Sequence, residues 1–263
     1  MTEVEGARNF GGTGDAYDRF MGRYSQLLAP IFADFCRIDH GHRLLDVGCG
    51  PGAFTAVAAD RLGSDCVVAV DPSPSFVASC RERHPGVDVR VGVAEELPAD
   101  DDGFDLAVAQ LVMHFVSDAP RATREMRRVV RRGGVVAASV WDGGGGMGLL
   151  HVLRDARRAL EGQHSEPEVH PFGSEGQLTA LLDGAGLVEV EEETLTVTAH
   201  YTGFDDLWSG LLHGIGPAGA YVASLSDADR VHYREALHAQ VGAPTGDFVL
   251  TAAANAARGV VPG

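Results

Sequence analysis

The chain has 263 residues, 45% of them hydrophobic and 22% charged, enough for one large domain or two small ones with a substantial core. A formal net charge of −16 argues against a nucleic-acid partner, because such binding rests on neutralising phosphates. No run of about 18 apolar residues exists to span a membrane, and the acidic start, Met1 to Gly6, is unlike a signal peptide, so a cytoplasmic location is expected.

Residues 1–14 end in Gly11-Gly12-Thr13-Gly14 and are expected to be flexible. Asp15 is a candidate cap for a helix carrying Tyr17, Phe20, Met21 and Tyr24 on one face, with Pro30 a candidate break before Ile31 to Phe35. Cys36, Cys49, Cys66 and Cys80 form no C-x-x-C pair, so neither a zinc site nor a disulfide frame is suggested. Leu44-Leu45-Asp46-Val47 reads as a buried parallel strand, and Gly48, Gly50 and Gly52 then allow a tight turn and a close approach to the backbone. A helix from Ala53 to Arg61 or Leu62 follows, stopped by Gly63. Cys66 to Asp71 reads as a second buried strand ending in an acid, with Ser73 capping the next helix and Pro74 at its first position.

Val87 to Val91 alternates and so belongs nearer a sheet edge. Asp100-Asp101-Asp102-Gly103 is an acidic turn. Phe104 to Gln110 is a fourth strand, with Leu111 to Phe115 just past its carboxyl end. A helix capped by Ser117 or Asp118 is expected to run to Arg132 and stop at Gly133-Gly134; its arginines, Arg121 to Arg132, read as a solvated face. Val135 to Val140 is a fifth strand, ending at Trp141-Asp142 and four glycines. This strict alternation means a parallel sheet with right-handed crossovers. Beyond it, Leu149–Leu160, Glu175–Leu182, Phe204–His213 and Asp227–Gln240 read as helices, and Leu187–Thr198 and Phe248–Ala254 as strands. The last two strands are expected to pair antiparallel at the sheet edge, with the helices of 201–243 between them as a cap.

A strand, glycine turn and helix of this kind builds a nucleotide site at the carboxyl end of a sheet. Gly48, Gly50 and Ala53 also fit the dinucleotide pattern G-x-G-x-x-G/A, so the glycines discriminate weakly. Asp46 discriminates better: a carboxylate at that strand tip repels a pyrophosphate and welcomes a cation. Asp71 lies roughly twenty residues beyond the turn, where an acid can accept both ribose hydroxyls.

D-V-G-C-G-P-G, residues 46–52, resembles the first motif of the class I S-adenosylmethionine-dependent methyltransferases of the bacterial small-molecule type. The resemblance implies a doubly wound, Rossmann-like α/β methyltransferase fold, its sheet mainly parallel with an antiparallel edge strand and a helical cap. It implies a single domain over 1–263, with an N-terminal helical segment at 1–42 over the cofactor, a cofactor-binding core at 43–140 and the cap at 201–243. It places Asp46, Gly48, Gly50 and Gly52 around the methionine half of S-adenosylmethionine, and Asp71, Pro72 and Ser73 at the ribose. Gly92 to Pro98 resembles the adenine-contacting loop, from which Ala94 and Glu95 carry over, chiefly through their backbone. Val93 departs from the pattern, since many relatives have an acid there. Gln110 completes the cofactor set at the end of the fourth strand. Ala16 to Ser25 resembles an aromatic and basic segment that precedes the sheet in a bacterial branch, implying Tyr17, Met21 and Arg23 on the cofactor and Tyr24 in the substrate cavity.

The methyl group on a sulfonium is already activated, so alignment is the main task, and a base is needed only for an acceptor that holds its proton. His114 is the best base candidate, with Tyr17 second and Tyr24, His170 and His213 weaker. Tyr24, His114, Trp141, Trp208 and His213 are the expected substrate contacts. No acid cluster follows the fourth strand, which argues against a magnesium-assisted catechol methyltransferase, and no metal is expected. The reading is methyl transfer to an O, N or C atom of a small, partly apolar molecule by a monomer or homodimer, without nucleic-acid or membrane partners. An S-adenosylmethionine enzyme that cyclises or isomerises its substrate would carry the same motifs. A non-catalytic binding subunit would show damaged cofactor residues, whereas Asp46 and Asp71 are intact, and an NAD-dependent oxidoreductase ranks lower because of Asp46.

Overall fold

The computed structural model describes residues 14–162, 171–214 and 216–263. Residues 1–13 and His170, on which a flexible start and one alternative base were placed, lie outside these. The described chain opens with α1 (Gly14–Tyr17), a π-helical turn (Asp18–Gly22) and α2 (Arg23–Phe35). Pro30 sits inside α2 without breaking it. Tyr24, Leu28 and Phe32 form a fully buried stripe on both sides of the proline, and that packing outweighs one lost backbone hydrogen bond.

Five strands follow, β1 (Leu44–Val47), β2 (Val67–Asp71), β3 (Asp88–Val91), β4 (Phe104–Gln110) and β5 (Val130–Trp141), joined by α3 (Ala53–Leu62), α4 (Pro74–Arg83) and α5 (Ala119–Val129). β1 and β2 are buried at every position, because a strand covered on both faces has no side for polar residues. Local caps hold the crossovers: Ser73 Oγ accepts from Phe76 N at the start of α4, and Asp118 Oδ1 from Arg121 N at 2.9 Å at the start of α5.

α5 ends at Val129, three residues before the expected stop. Val130 is already extended, with φ −96° and ψ 130°, and pairs with Phe104 across a bulge that precedes the Leu106–Val135 pair. Gly134 serves this bulge: a Cβ there would lie 2.5 Å from Asp105 O. Arg131 is then placed to donate to Asp105 Oδ1 at 2.6 Å.

The second half comprises α6 (Gly148–Glu161), α7 (Gln177–Gly184), β6 (Val188–Tyr201), α8 (Phe204–Leu211), α9 (Gly216–Ser224), α10 (Asp227–Gln240) and β7 (Phe248–Val260). One seven-stranded sheet results, in the order β3-β2-β1-β4-β5-β7-β6. The pairs among β1 to β5 are parallel, and β7 runs antiparallel to both β5 and β6. Alternate strand positions face two separate cores: Leu44, Val108 and Ala137 meet Phe32 and Phe54, while Leu45, Ala107 and Val136 meet Met126 and Leu182. The helices between β6 and β7 fold back on the rest. Tyr233 Oη donates to Leu153 O at 3.1 Å, and a Cβ at Gly210 would lie 2.9 Å from Arg19 O in the π-helical turn. Among the described residues no helix is long and apolar enough to cross a membrane.

Candidate cofactor site

The carboxyl ends of β1, β2 and β4 open onto one cavity whose floor is the turn after β1. Gly48 N and Cys49 N both donate to Val70 O, at 2.7 and 3.0 Å, which pins the turn to the end of β2. Gly48, Gly50 and Gly52 have φ of 73°, 54° and 102°, the left-handed region that favours glycine. Their surroundings differ. A Cβ at Gly50 would meet no atom within 4 Å and would stand in the cavity. One at Gly48 would press on Val112 at 2.5 Å, and one at Gly52 would strike His84 Nε2 at 2.5 Å behind the turn. Gly48 and Gly50 thus line the cavity, while Gly52 lets α3 start against α4 and does not line it.

Two buried carboxylates flank this turn. Asp46 Oδ2 accepts from Thr55 Oγ1 at 2.6 Å. Burial pushes the Asp46 pKa up to about 7 against the pull of that bond, with the nearby Asp71 adding to the rise. Asp71 Oδ2 accepts from Gly50 N at 2.9 Å and Oδ1 from Ser73 N at 2.8 Å. Burial also raises Asp71, to about 6, opposed by those two backbone bonds. Each oxygen of Asp71 keeps a second lone pair for a ligand hydroxyl. The pair is an electrostatic site suited to a cation and to O–H donors.

The walls continue from the next loops. Pro72, Ser73 and Phe76 follow β2, and Val93, Ala94 and Glu95 follow β3. Glu95 Oε1 accepts from Ser117 N at 3.1 Å and Asp118 N at 3.3 Å, so its carboxylate is committed to the start of α5. Phe76, Val93, Phe115 and Val116 make this end of the cavity apolar. Past β4, Gln110 is followed by Leu111, a buried non-glycine residue at φ 62° whose N donates to Ser139 O at 2.9 Å. That strained backbone turns Val112 against Gly48.

Tyr17 and Ser25 close the cavity from the N-terminal segment. The Tyr17 ring meets Phe76 edge-on at 5.6 Å, and burial pushes its hydroxyl up to about 12. Arg83 clamps the segment to α4 through Asp15 and Asp18, both at 2.7 Å.

Several expected residues lie elsewhere. Met21 packs half-buried against the core. Arg23, expected on the cofactor, instead forks onto Asp206 at 2.9 and 2.6 Å, donates to His200 O and lies over the Tyr201 ring. A planar guanidinium finds its complement in that carboxylate, and the pair ties α2 to α8. Tyr24 is fully buried, with its Oη 2.9 Å from Tyr201 Oη and its ring edge-on to Trp141 at 6.1 Å. Trp208 packs on Tyr233 at 6.3 Å, and His213 Nε2 lies 3.4 Å from Arg19 Nη1. His114 sits on a short 3-10 turn with its ring 3.9 Å from Phe115. Phe115 lines the cavity; His114, Tyr24, Trp141, Trp208 and His213 do not.

The sequence reading missed Ser25, Cys49, Phe76, Val112, Phe115, Val116 and Ser117 as lining residues and Thr55 as the partner of Asp46. Thr55 lies three residues after Gly52, in the first turn of α3, a local signal; Ser25 arrives only through tertiary packing of α2. Among the described residues no group of three or more histidines, cysteines or acids is placed to hold a metal ion.

Residues 45–138 match the family model described as a methyltransferase domain. A malonyl-(acyl-carrier protein) O-methyltransferase of Serratia marcescens is 33% identical over 123 residues, which are 47% of this chain and 46% of that protein. The chain thus spans about half the length of that relative. An uncharacterised methyltransferase of Mycobacteroides abscessus is 30% identical over 213 residues, 74% of this chain and 80% of that protein. The fold matches phosphoethanolamine N-methyltransferase 2 of Haemonchus contortus, solved with phosphomonomethylethanolamine and S-adenosylhomocysteine, at a TM-score of 0.61 and 20% identity, covering 100% of this chain and 61% of that one. With a glycine turn between two strand-tip acids, a methyltransferase domain over the same residues and a relative alike over most of its length, the chain belongs to the class I S-adenosylmethionine-dependent methyltransferase family.

Proposed function

We propose that this protein transfers the methyl group of S-adenosylmethionine to a small, partly apolar molecule. The observation that carries the reading is the pair of buried acids, Asp46 and Asp71, on either side of a glycine turn whose Gly50 leaves the cavity open. These residues fit the family's cofactor: the acids suit a cation and ribose hydroxyls, and a Cβ at Gly50 would fill the cradle between them. When bound, S-adenosylmethionine supplies a methyl group already activated by its sulfonium.

The chain's own residues then have separate tasks. Asp46, ionised, holds negative charge against the methionine half. Asp71 offers its remaining lone pairs to the ribose while keeping Gly50 in place. Phe76, Val93, Phe115 and Val116 give the adenine an apolar slot, with no acid at Val93 to read its amino group. Tyr17, protonated at neutral pH, closes the roof as a donor and not as a base. His114 packs on Phe115 and does not line the cavity, so it is not assigned as a base. Catalysis here is alignment and water exclusion, which suits an acceptor atom that is electron-rich without losing a proton in the step.

A small acceptor is supported by the net charge of −16, unfavourable for RNA, and by a cap held down through Arg23 and Asp206. The Serratia relative's name, an O-methyltransferase of malonyl-(acyl-carrier protein), is in keeping with a metabolite-derived acceptor. We assign residues 14–42 to the roof, 43–140 to cofactor binding and the helices between β6 and β7 to the cap of one domain, in a cytoplasmic enzyme acting as a monomer or homodimer. The test is a transfer assay with methyl-labelled S-adenosylmethionine and fractionated cell extract. Label in the small-molecule fraction is expected; label in RNA or bulk protein overturns the reading, and substrate turnover without label transfer points to cyclisation or isomerisation.

A further inference from the structure

Cys49 stands in the glycine turn after β1, and Cys80 on α4 behind that turn. Both are free thiols. A Cβ at Gly52 would lie 3.1 Å from Cys80 Sγ, so Cys80 reaches the turn through the gap that the missing side chain leaves. There the Cys49 S–H donates to the Cys80 sulfur. Cys80 Sγ in turn donates to Thr55 Oγ1 at 3.8 Å, and Thr55 Oγ1 to Asp46 Oδ2 at 2.6 Å. Two thiols in contact thus begin a chain of donors that ends on an acid of the cofactor site.

The two thiols differ in access. Cys80 is fully buried, whereas Cys49 is 6% exposed and borders the cavity between Gly48 and Gly50. A cavity wide enough for a nucleoside admits hydrogen peroxide, and a ligand seated in it covers Cys49. The backbone at this point is held by hydrogen bonds alone, Cys49 N on Val70 O at 3.0 Å and Gly50 N on Asp71 Oδ2 at 2.9 Å. A covalent tie from Cys49 to α4 therefore acts on the backbone that floors the cavity.

We propose that Cys49 and Cys80 form a reversible disulfide under hydrogen peroxide, and that this bond lowers the affinity of the cavity for its ligand. The Cys49 sulfur attacks one peroxide oxygen, the O–O bond breaks, and the departing oxygen leaves as water with the thiol proton. Cys49 is then a sulfenic acid. The Cys80 sulfur attacks it, the S–O bond breaks, and the hydroxyl leaves with the Cys80 proton as a second water. The two thiols lose two electrons and one peroxide becomes two waters. Both S–H donors are gone, Thr55 loses the bond from Cys80, and the turn is drawn toward α4. The effect on S-adenosylhomocysteine rests on the cofactor reading above; the disulfide itself does not.

The test treats the full chain with hydrogen peroxide, with and without saturating S-adenosylhomocysteine, blocks remaining thiols by alkylation and maps unreduced peptides by mass spectrometry. Cys66→Ser is the background, since it removes the partly exposed thiol able to link two chains. A joined Cys49–Cys80 peptide is expected, forming at least about fivefold more slowly under the ligand and lost with dithiothreitol. Calorimetry should show the oxidised chain binding S-adenosylhomocysteine about 10-fold or more weakly, with recovery on reduction. In Cys80→Ser no second thiol resolves the sulfenic acid, so excess peroxide should carry Cys49 on to the sulfinic acid, which dithiothreitol does not reverse. No joined peptide, a joined peptide with unchanged affinity, or an untouched Cys49 in Cys80→Ser would each overturn the proposal. Reduced chain that binds no S-adenosylhomocysteine would instead show the cofactor reading to be wrong, and the peptide map alone would then decide the disulfide.

Discussion

Asp71 Oδ2 accepts the backbone N–H of Gly50 at 2.9 Å, so the acid at the tip of β2 and the glycine turn after β1 form one unit. The same carboxylate also fixes Ser73 N at 2.8 Å, at the cap of α4. Asp71→Ala should therefore weaken S-adenosylhomocysteine by about 1–3 kcal/mol, the cost of ill-paired hydroxyls and of a loosened turn. Asp71→Asn should lose nearly as much. If its Oδ1 stays on Ser73 N, its NH2 faces the Gly50 N–H, donor against donor. Calorimetry showing near wild-type affinity for the asparagine variant would mean that Asp71 does not hold Gly50 in this way.

The pH dependence follows from burial. Asp46 and Asp71 are raised to about 7 and about 6, above their unfolded range near 4. A cation and hydroxyl donors favour the ionised acids, so cofactor binding should release protons. Affinity should climb as pH rises through about 6 to about 7 and level off above. The sign for the ligand-free protein is opposite. A raised carboxyl pKa contributes stability that is present below the unfolded value and lost as pH rises through the folded one. The melting temperature should fall over that window, and less so with S-adenosylhomocysteine bound. Calorimetry in two buffers of different ionisation enthalpy measures the proton release directly, and no release at pH 6.5 would contradict the assignment.

Arg23 and Asp206 carry a prediction that separates cap from cofactor. Their side chains are 22% and 25% exposed, and the forked pair joins α2 to α8. Asp206→Asn should cost about 1–3 kcal/mol of stability and raise amide exchange in α8. S-adenosylhomocysteine affinity should stay within about twofold, since neither residue lines the cavity. A large loss of affinity with unchanged exchange would return Arg23 to the cofactor.

His114 tests whether a base is needed. Its ring packs on Phe115 at 3.9 Å and does not line the cavity. Once an acceptor is known, His114→Gln should change turnover by only a few-fold. A drop of about 100-fold or more, the scale of a lost general base, would show that His114 reaches the acceptor.

What was legible in the sequence was local. β1, β2 and β4 show as apolar runs because both sheet faces are covered, and the acids show because Asp71 closes β2 and Asp46 stands one residue before the end of β1. Ser73 and Asp118 are caps whose partners lie three residues on. What failed depended on distance in sequence. The partner of Arg23 is 183 residues away and that of Tyr24 is 177, so aromatic and basic residues expected around ligands are in fact consumed in joining α2 to the cap. The end of α5 failed for a different reason. Helix-favouring arginines at 131 and 132 were overridden by the pairing of Val130 with Phe104, which needs extended backbone.

The most direct measurement of the central claim is competitive calorimetry of the purified full chain with S-adenosylmethionine, S-adenosylhomocysteine and NAD. The strand-tip acids predict micromolar binding of both sulfur ligands, one per chain, abolished or strongly weakened in Asp46→Ala, and no detectable NAD. NAD binding more tightly than S-adenosylhomocysteine would contradict the account.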